Sequence, residues 1–206
     1  MRKIRKFKVA IHLKEILRRI KLANIDTAAA GFPVESELAV FISSLHSDIE
    51  PGVVYEFIEG ECMEFAAAGL KQPKMFSVCV ITLGSKFEAR LAEIKNTASL
   101  AVANIIMYEF MRTAVTFVSD LIKEDAQKDD FTVGNYEILS SPVFAYVPEP
   151  KFLREAPRAE PEAAKKVLPL VFERLQAQKI NVSFKDNAVL PKATVAFVMP
   201  WQKKKG

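Results

Sequence analysis

Cysteine and histidine are scarce in this chain of 206 residues, which contains two of each. Cys62 and Cys79 are too few for a disulfide framework or a cysteine-rich metal site. His12 and His46 have no cysteine or second histidine at the spacing of metal ligands. Cys79 stands inside an apolar segment and is interpreted as a small buried side chain, and His46 as a surface or boundary residue. The sequence therefore predicts no metal site and favours a reducing, cytoplasmic location.

Glycine is also rare, and long apolar runs are missing. The seven glycines form neither G-x-G-x-x-G nor a P-loop, so nucleotide-binding loops of those kinds are unsupported. No apolar run reaches the roughly 18 residues that a membrane helix needs, because Asn104 and Glu109 interrupt the best candidate, Leu100 to Phe110. The basic N-terminus lacks the apolar stretch of a signal peptide. We expect no membrane partner.

Positive charge is concentrated at the two ends of the chain. Of 29 basic and 25 acidic residues, nine basic ones and only one acidic one, Glu15, fall within residues 1–21. Without these and the lysines at 203–205, residues 22–202 keep 17 basic and 24 acidic residues, a net charge of −7. We interpret 1–8 and 203–206 as solvated basic tails. Nucleic-acid binding is less favoured, because few aromatic residues accompany the basic ones.

Apolar periodicity and turn residues predict the elements. Helices are expected over 13–20 and 38–49. A third helix should begin at a capping box formed by Ser85 and Glu88. The longest, over Thr97–Lys128, should be central and buried. Strands are expected over 53–58, 76–82 and 194–198, with alternation at Ile180, Val182 and Phe184. The acidic residues Glu124, Asp125, Asp129 and Asp130 are interpreted as a solvated helix end. We predict one α+β (mixed α/β) domain over 1–206, with a twisted, mostly antiparallel sheet.

Six of the eleven prolines fall between 142 and 169. This density suits neither a helix nor a central strand, so the segment is predicted to be a long extended crossing, followed by a short helix to about Lys179. Loops of this length are uncommon in compact domains and are usually binding segments or linkers. A long ordered crossing needs contacts that offset its lost entropy, which favours the binding segment. The segment is therefore the favoured location of function.

Four strings in order resemble a known family. The family is the reactivation domain of cobalamin-dependent methionine synthase, with its stand-alone relatives. Leu13–Arg19 looks like the opening helix of that domain, and Thr82–Gly84 looks like its T-I-G turn. Ala103–Ala126 occupies the place of its long central helix. Ile180–Pro191 with Ala193–Val195 is similar to the stretch near the end of that domain. The resemblance spans residues 8 to 198.

The resemblance implies a cofactor and partners. In that family the domain presents S-adenosylmethionine to a corrinoid, whose cobalt is remethylated with an electron from flavodoxin. The family's R-x-x-P-G-Y motif matches Arg158, Ala159, Glu160, Pro161, Glu162 and Ala163, so Gly-Tyr has become Glu-Ala. A glutamate that is frequent in the family's central helix is also missing at or near Thr116. Both departures predict a degraded cofactor site.

The sequence thus leads to a functional hypothesis and an alternative. The chain is expected to dock on a corrinoid protein or corrinoid methyltransferase through the face that carries 148–166, with a flavodoxin-like donor as a further partner. The corrinoid would be bound by the partner and not by this chain. The sequence does not decide whether residues 158–163 still bind S-adenosylmethionine. The alternative is a non-catalytic scaffold or assembly subunit that keeps the fold without cofactor chemistry.

Overall fold

The computed structural model describes residues 1–70, 73–140 and 158–203. These residues form an α+β fold, as predicted, in which a curled antiparallel sheet packs with six α-helices. The strands are β1 (Arg2–Arg5), β2 (Gly52–Glu59), β3 (Met75–Thr82), β4 (Phe131–Val133), β5 (Glu137–Ser140), β6 (Ser183–Lys185), β7 (Ala188–Leu190) and β8 (Thr194–Lys203). The helices are α1 (Leu13–Leu22), α2 (Glu35–Ser47), α3 (Met63–Ala67), α4 (Ser85–Glu93), α5 (Thr97–Lys128) and α6 (Pro161–Arg174), with a 3₁₀ helix at Ala177–Ile180.

Strands β3 and β8 form the centre of the main sheet, whose order is β1-β2-β3-β8-β4, with β5 also paired to β8. Residues 76–82 of β3 pair with 194–200 of β8, and β2 pairs along the other side of β3. Both central strands are almost continuously apolar, which is the composition of strands covered on both faces. Strands β6 and β7 form a separate small hairpin.

Helices cover both faces of this sheet, so alternate residues of each strand enter two different cores. Cys79 and Ile81 of β3 face the first core, which contains α1, α2, α4 and α5. Val78 and Val80 face the second core, which contains α3, α6 and the 3₁₀ helix. The period-two alternation of a strand is what separates these residues.

The predicted long helix is confirmed, with the bounds Thr97–Lys128. Fifteen of its residues are buried, and Asn96 caps it by accepting a hydrogen bond from the Ser99 amide at 2.9 Å. By length and composition this helix could cross a membrane, but 67% of its most apolar window is buried inside the protein. It is the main helix of the first core.

The predictions for the proline-rich region and its sequel were partly wrong. The residues 141–157 lie outside the described residues, whereas Pro161 begins α6 and Pro169 lies inside it. A helix can start at proline because the first helical position needs no amide hydrogen, so a proline in this region is compatible with a helix. Ile180 ends a 3₁₀ helix instead of belonging to a strand, and Asn181 follows it in the left-handed region.

Part of the N-terminal basic stretch is a paired strand. Arg2–Arg5 form β1 at the edge of the sheet, antiparallel to β2. The Arg2 guanidinium pairs with the Asp125 carboxylate of α5 at 2.8 Å, and the Tyr55 hydroxyl donates to the same carboxylate at 3.1 Å. Asp125 therefore ties β1 and β2 to the end of α5 rather than lying free in solvent, as the sequence had suggested.

Candidate functional site

The first half of the predicted cofactor segment runs beside strand β5. Arg158 forms a parallel bridge with Ile138, and the Ala159 amide donates to the Ile138 carbonyl at 3.0 Å. Arg158 is exposed. The part of the predicted partner face over 148–157 lies outside the described residues.

The second half of the segment is helical rather than extended. Glu160 is the residue before α6, Pro161 is its first residue, and Glu162 and Ala163 follow in the first turn. The exposed Glu162 carboxylate accepts a hydrogen bond from the Lys165 ammonium at 2.8 Å, and this bond lowers the pKa of Glu162. Ala163 is half-buried, and its Cβ lies 3.5 Å from the place where a side chain on Gly69 would begin.

These residues do not fit S-adenosylmethionine in the way that the family's motif does. The glycine position, where a ligand would need close approach to the backbone, carries a side chain that points to solvent and pairs with its own helix. The tyrosine position carries only a methyl group, which lies near Gly69 and offers neither a ring nor a hydroxyl to a ligand.

Two of the family-like strings meet in a buried junction, although the hydrogen-bonded residues are 110 to 112 positions apart in the sequence. The Thr82 hydroxyl donates to the Ala193 carbonyl at 3.2 Å, and the Leu83 amide donates to the same carbonyl at 2.9 Å. The Thr194 hydroxyl donates to that of Thr82 at 3.1 Å. Because Thr82 and Thr194 are fully buried, these bonds satisfy polar groups that water cannot reach.

Gly84 turns the chain from this junction into α4. Its φ is +91°, a conformation that favours glycine, and its amide donates to the Thr82 hydroxyl at 3.1 Å. The predicted capping box is wrong, because Ser85 is already the first helical residue and caps nothing. The Glu88 carboxylate instead accepts the Lys192 amide at 2.9 Å, which binds the start of α4 to the segment before β8.

A cavity of about 270 Å³ opens beside this junction, between α4, α5 and residues 192–193. We call it the junction cavity. Its wall is mainly apolar, and the polar groups at it come from Glu88, Asn104 and Lys192. The remaining lining residues are Leu91, Ala92, Leu100, Met107 and Ala193.

The long helix also carries a buried carboxylate, which the sequence analysis missed. Glu109 pairs with Arg112 at 2.8 Å and with Arg19 of α1. The Arg19 guanidinium lies 4.3 Å from the centre of the Tyr108 ring. Burial lowers the pKa of Arg19. Thr116, where the family resemblance would place a carboxylate, is exposed. A glutamate within the apolar run Leu100 to Phe110, with Arg112 one turn later, was the signal for this ion cluster.

The scarce cysteines and histidines take structural positions. Cys79 is fully buried in β3, as predicted, and burial raises the pKa of its thiol well above the ordinary value. His46 is exposed at the end of α2, as predicted, with Nε2 lying 3.2 Å from the Val9 carbonyl. Within the described ranges, no three histidine, cysteine or acidic side chains are grouped as a metal site would need.

No family model matches this chain, and the search of curated proteins found no match to it either.

Proposed function

We propose that this protein is a stand-alone relative of the methionine synthase reactivation domain that docks on a corrinoid protein or corrinoid methyltransferase. In this proposal the partner carries the corrinoid, and the chain acts by binding. S-adenosylmethionine is not its ligand at 158–163, because Glu162 and Ala163 do not fit the roles of the glycine and tyrosine they replace.

The observation that carries the proposal is the convergence of the family-like strings. Thr82–Gly84 and Ala193–Val195 share the buried hydrogen bonds of the junction. The central helix supplies Asn104 and Met107 to the junction cavity beside it. The opening helix, Leu13–Arg19, reaches the same central helix through Arg19 and Glu109. The meeting of the strings in one core is what a common architecture with the family requires, and in that sense it supports the proposal.

The start of α6 supplies the described part of the docking face. Arg158, Glu160, Pro161, Glu162 and Lys166 are all exposed there. Arg158 stands at the end of the predicted crossing, where it can meet a carboxylate or phosphate of a partner. A partly charged, exposed helix start next to a sheet edge suits a reversible contact better than an obligate interface.

Binding of purified corrinoid proteins from the same genome tests this proposal. Biolayer interferometry should give micromolar binding to at least one of them. The double variant Arg158→Glu/Lys166→Glu should weaken that binding at least tenfold, because it reverses two charges on the docking face. The matched control is Lys14→Glu/Lys95→Glu, which changes the net charge equally at exposed positions elsewhere.

The outcomes separate the parts of the proposal. Absence of binding to every corrinoid protein, with the chain shown to be folded by circular dichroism, would overturn the function. Binding that both double variants weaken equally would show that the face is misplaced.

Calorimetric titration with S-adenosylmethionine tests the cofactor statement separately. We expect no binding heat up to millimolar ligand. Micromolar binding that Arg158→Ala abolishes would contradict this and would restore the motif as a cofactor site.

A further inference from the structure

Strand β1 leaves a regular set of backbone groups unpaired at the edge of the sheet. Within the described part of the chain it pairs only with β2. The Lys6 amide donates to the Pro51 carbonyl, and Ile4 and Arg2 lie opposite Val53 and Tyr55. In an antiparallel ladder, hydrogen-bonded residue pairs alternate with pairs that are not hydrogen-bonded, so the main-chain groups of Ile4 and Arg2 form hydrogen bonds with β2. The amides and carbonyls of Lys3 and Arg5 therefore point outwards.

The pairing of β2 with β3 supports the same assignment. The Gly60 amide donates to the Lys74 carbonyl, so the even-numbered residues of β2 bond towards β3. The odd-numbered residues, Val53 and Tyr55, are thereby left to bond towards β1. Two independent hydrogen bonds thus fix which edge groups are open.

The side chains of the same two residues form a cationic surface. Lys3 and Arg5 lie opposite Val54 and Gly52, on the sheet face covered by α6 and the 3₁₀ helix. Desolvation, the charge of Arg5 and then the charge of Lys179 of that 3₁₀ helix lower the pKa of Lys3. In the residues that the structure describes, none of Lys3, Arg5, Lys6 and Lys179 makes an ion pair.

A shallow cavity of about 120 Å³ adjoins this surface and is lined by Arg5, Lys6 and Asn181 among others. Its one acidic residue, Glu50, is already paired with Lys86 at 2.8 Å. We call Lys3, Arg5, Lys6, Lys179 and this cavity the basic edge. It combines open main-chain donors and acceptors with uncompensated positive charge.

We propose that the basic edge binds an extended acidic segment of a partner protein by β-strand addition. The main chain of the segment pairs with Lys3 and Arg5, and its alternate carboxylates face their side chains. Nucleic acid is the less favoured occupant, because the aromatic residue nearest in sequence, Phe7, is buried and stacks on Phe117 at 5.1 Å. This inference does not rest on the corrinoid partner, since it uses a different surface.

Fluorescence anisotropy with labelled peptides tests the proposal. The probe is a seven-residue peptide in which glutamate and valine alternate. One control peptide replaces glutamate by lysine, and another keeps the composition but groups the glutamates together. We expect the alternating acidic peptide to bind at least tenfold more tightly than either control, with affinity falling as salt rises. Equal binding of all three would overturn the proposal.

Variants of the full chain locate the site. Lys3→Glu/Arg5→Glu should weaken peptide binding at least 30-fold, whereas Lys14→Glu/Lys21→Glu, with the same change in net charge, should alter it less than threefold. Lys3→Pro removes one outward amide without removing a bond to β2, and should weaken binding more than Lys3→Gln does. Circular dichroism establishes that each variant is folded.

Amide exchange distinguishes strand addition from attraction of charge alone. By NMR, the Lys3 and Arg5 amides should exchange at least tenfold more slowly with bound peptide, while the Ile4 amide changes little. Unchanged exchange at Lys3 and Arg5 would overturn strand addition, since lysines on an edge strand also serve to prevent pairing. Tighter binding of a 20-nucleotide single-stranded DNA than of the acidic peptide would overturn the choice of occupant.

Discussion

At the scale of single residues, charge inside an apolar helix is the main feature that the structure adds. Glu109 is 2% exposed, yet it lies between two guanidinium groups on different helices. A buried charge of this kind is tolerated only with such partners, because removal from water costs several kcal/mol. The ion cluster therefore fixes where α1 lies along α5.

Glu109→Gln should lower the free energy of unfolding by about 3 kcal/mol, the low end of the range for breaking a buried ion pair. The low end applies because Arg19 and Arg112 retain partial access to water, at 22% and 32% exposure. Urea denaturation followed by circular dichroism measures the change. Glu93→Gln breaks the exposed pair with Arg90 and should cost less than about 1 kcal/mol. Equal losses in the two variants would contradict a structural role for the buried cluster.

At the scale of elements, α6 contains a residue that opposes its own helix. Pro169 is exposed inside α6, where it offers no amide to the carbonyl one turn before it. The helix forms because Val167, Leu168 and Val171 bury an apolar face in the second core. Tertiary packing here outweighs local preference.

Pro169→Ala should stabilise the protein by about 2 kcal/mol. Proline in a helix interior costs about 3 kcal/mol, from which the greater freedom of the unfolded alanine chain subtracts up to about 1 kcal/mol. Thermal and urea unfolding measure the gain. Pro161→Ala is the matched control, because proline suits the first helical position, and should give no gain. A loss of stability in Pro169→Ala would show that the ring is packed against its surroundings.

Elements with a local signal were predictable from the sequence, and elements that depend on distant partners were not. The helix α1 followed from apolar periodicity, α5 from a long stretch that is apolar on most sides, and the strand β3 from a continuous apolar run, each within one segment. The helical state of residues 161–169 did not, since composition favoured a crossing there, whereas a helix from Leu170 onwards was expected. The same holds for the candidate site. Its family-like strings could be recognised in the sequence, but the contacts between them could not. The hydrogen bond between Thr82 and Thr194 joins residues 112 positions apart, and the ion pair between Arg19 and Glu109 joins residues 90 positions apart.

At the scale of the whole molecule, two cores share one sheet. Cys79 and Ile81 belong to one core and Val78 and Val80 to the other, so β3 is held from both faces and both edges. Loss of either helical layer would expose this strand, which couples the two cores. We expect them to unfold together.

Hydrogen exchange should show this coupling. The amides of β3 and β8 should exchange slowest, at rates set by global unfolding, while those of β6, β7 and the outward groups of β1 exchange fastest. Mass spectrometry of exchanged, digested protein measures both classes in one experiment. If peptides from β8 exchanged as fast as those from β1, the central position of β8 would be contradicted.

The position of β8 in the sheet has a consequence for biosynthesis. The first three strands leave the ribosome more than 100 residues before the strand that must lie beside β3. Until then, the nascent chain presents a long apolar strand edge, which is the type of surface that aggregates. A helper such as a ribosome-associated chaperone, holding β3 from the emergence of Thr82 until that of Thr194, would raise the yield of folded protein.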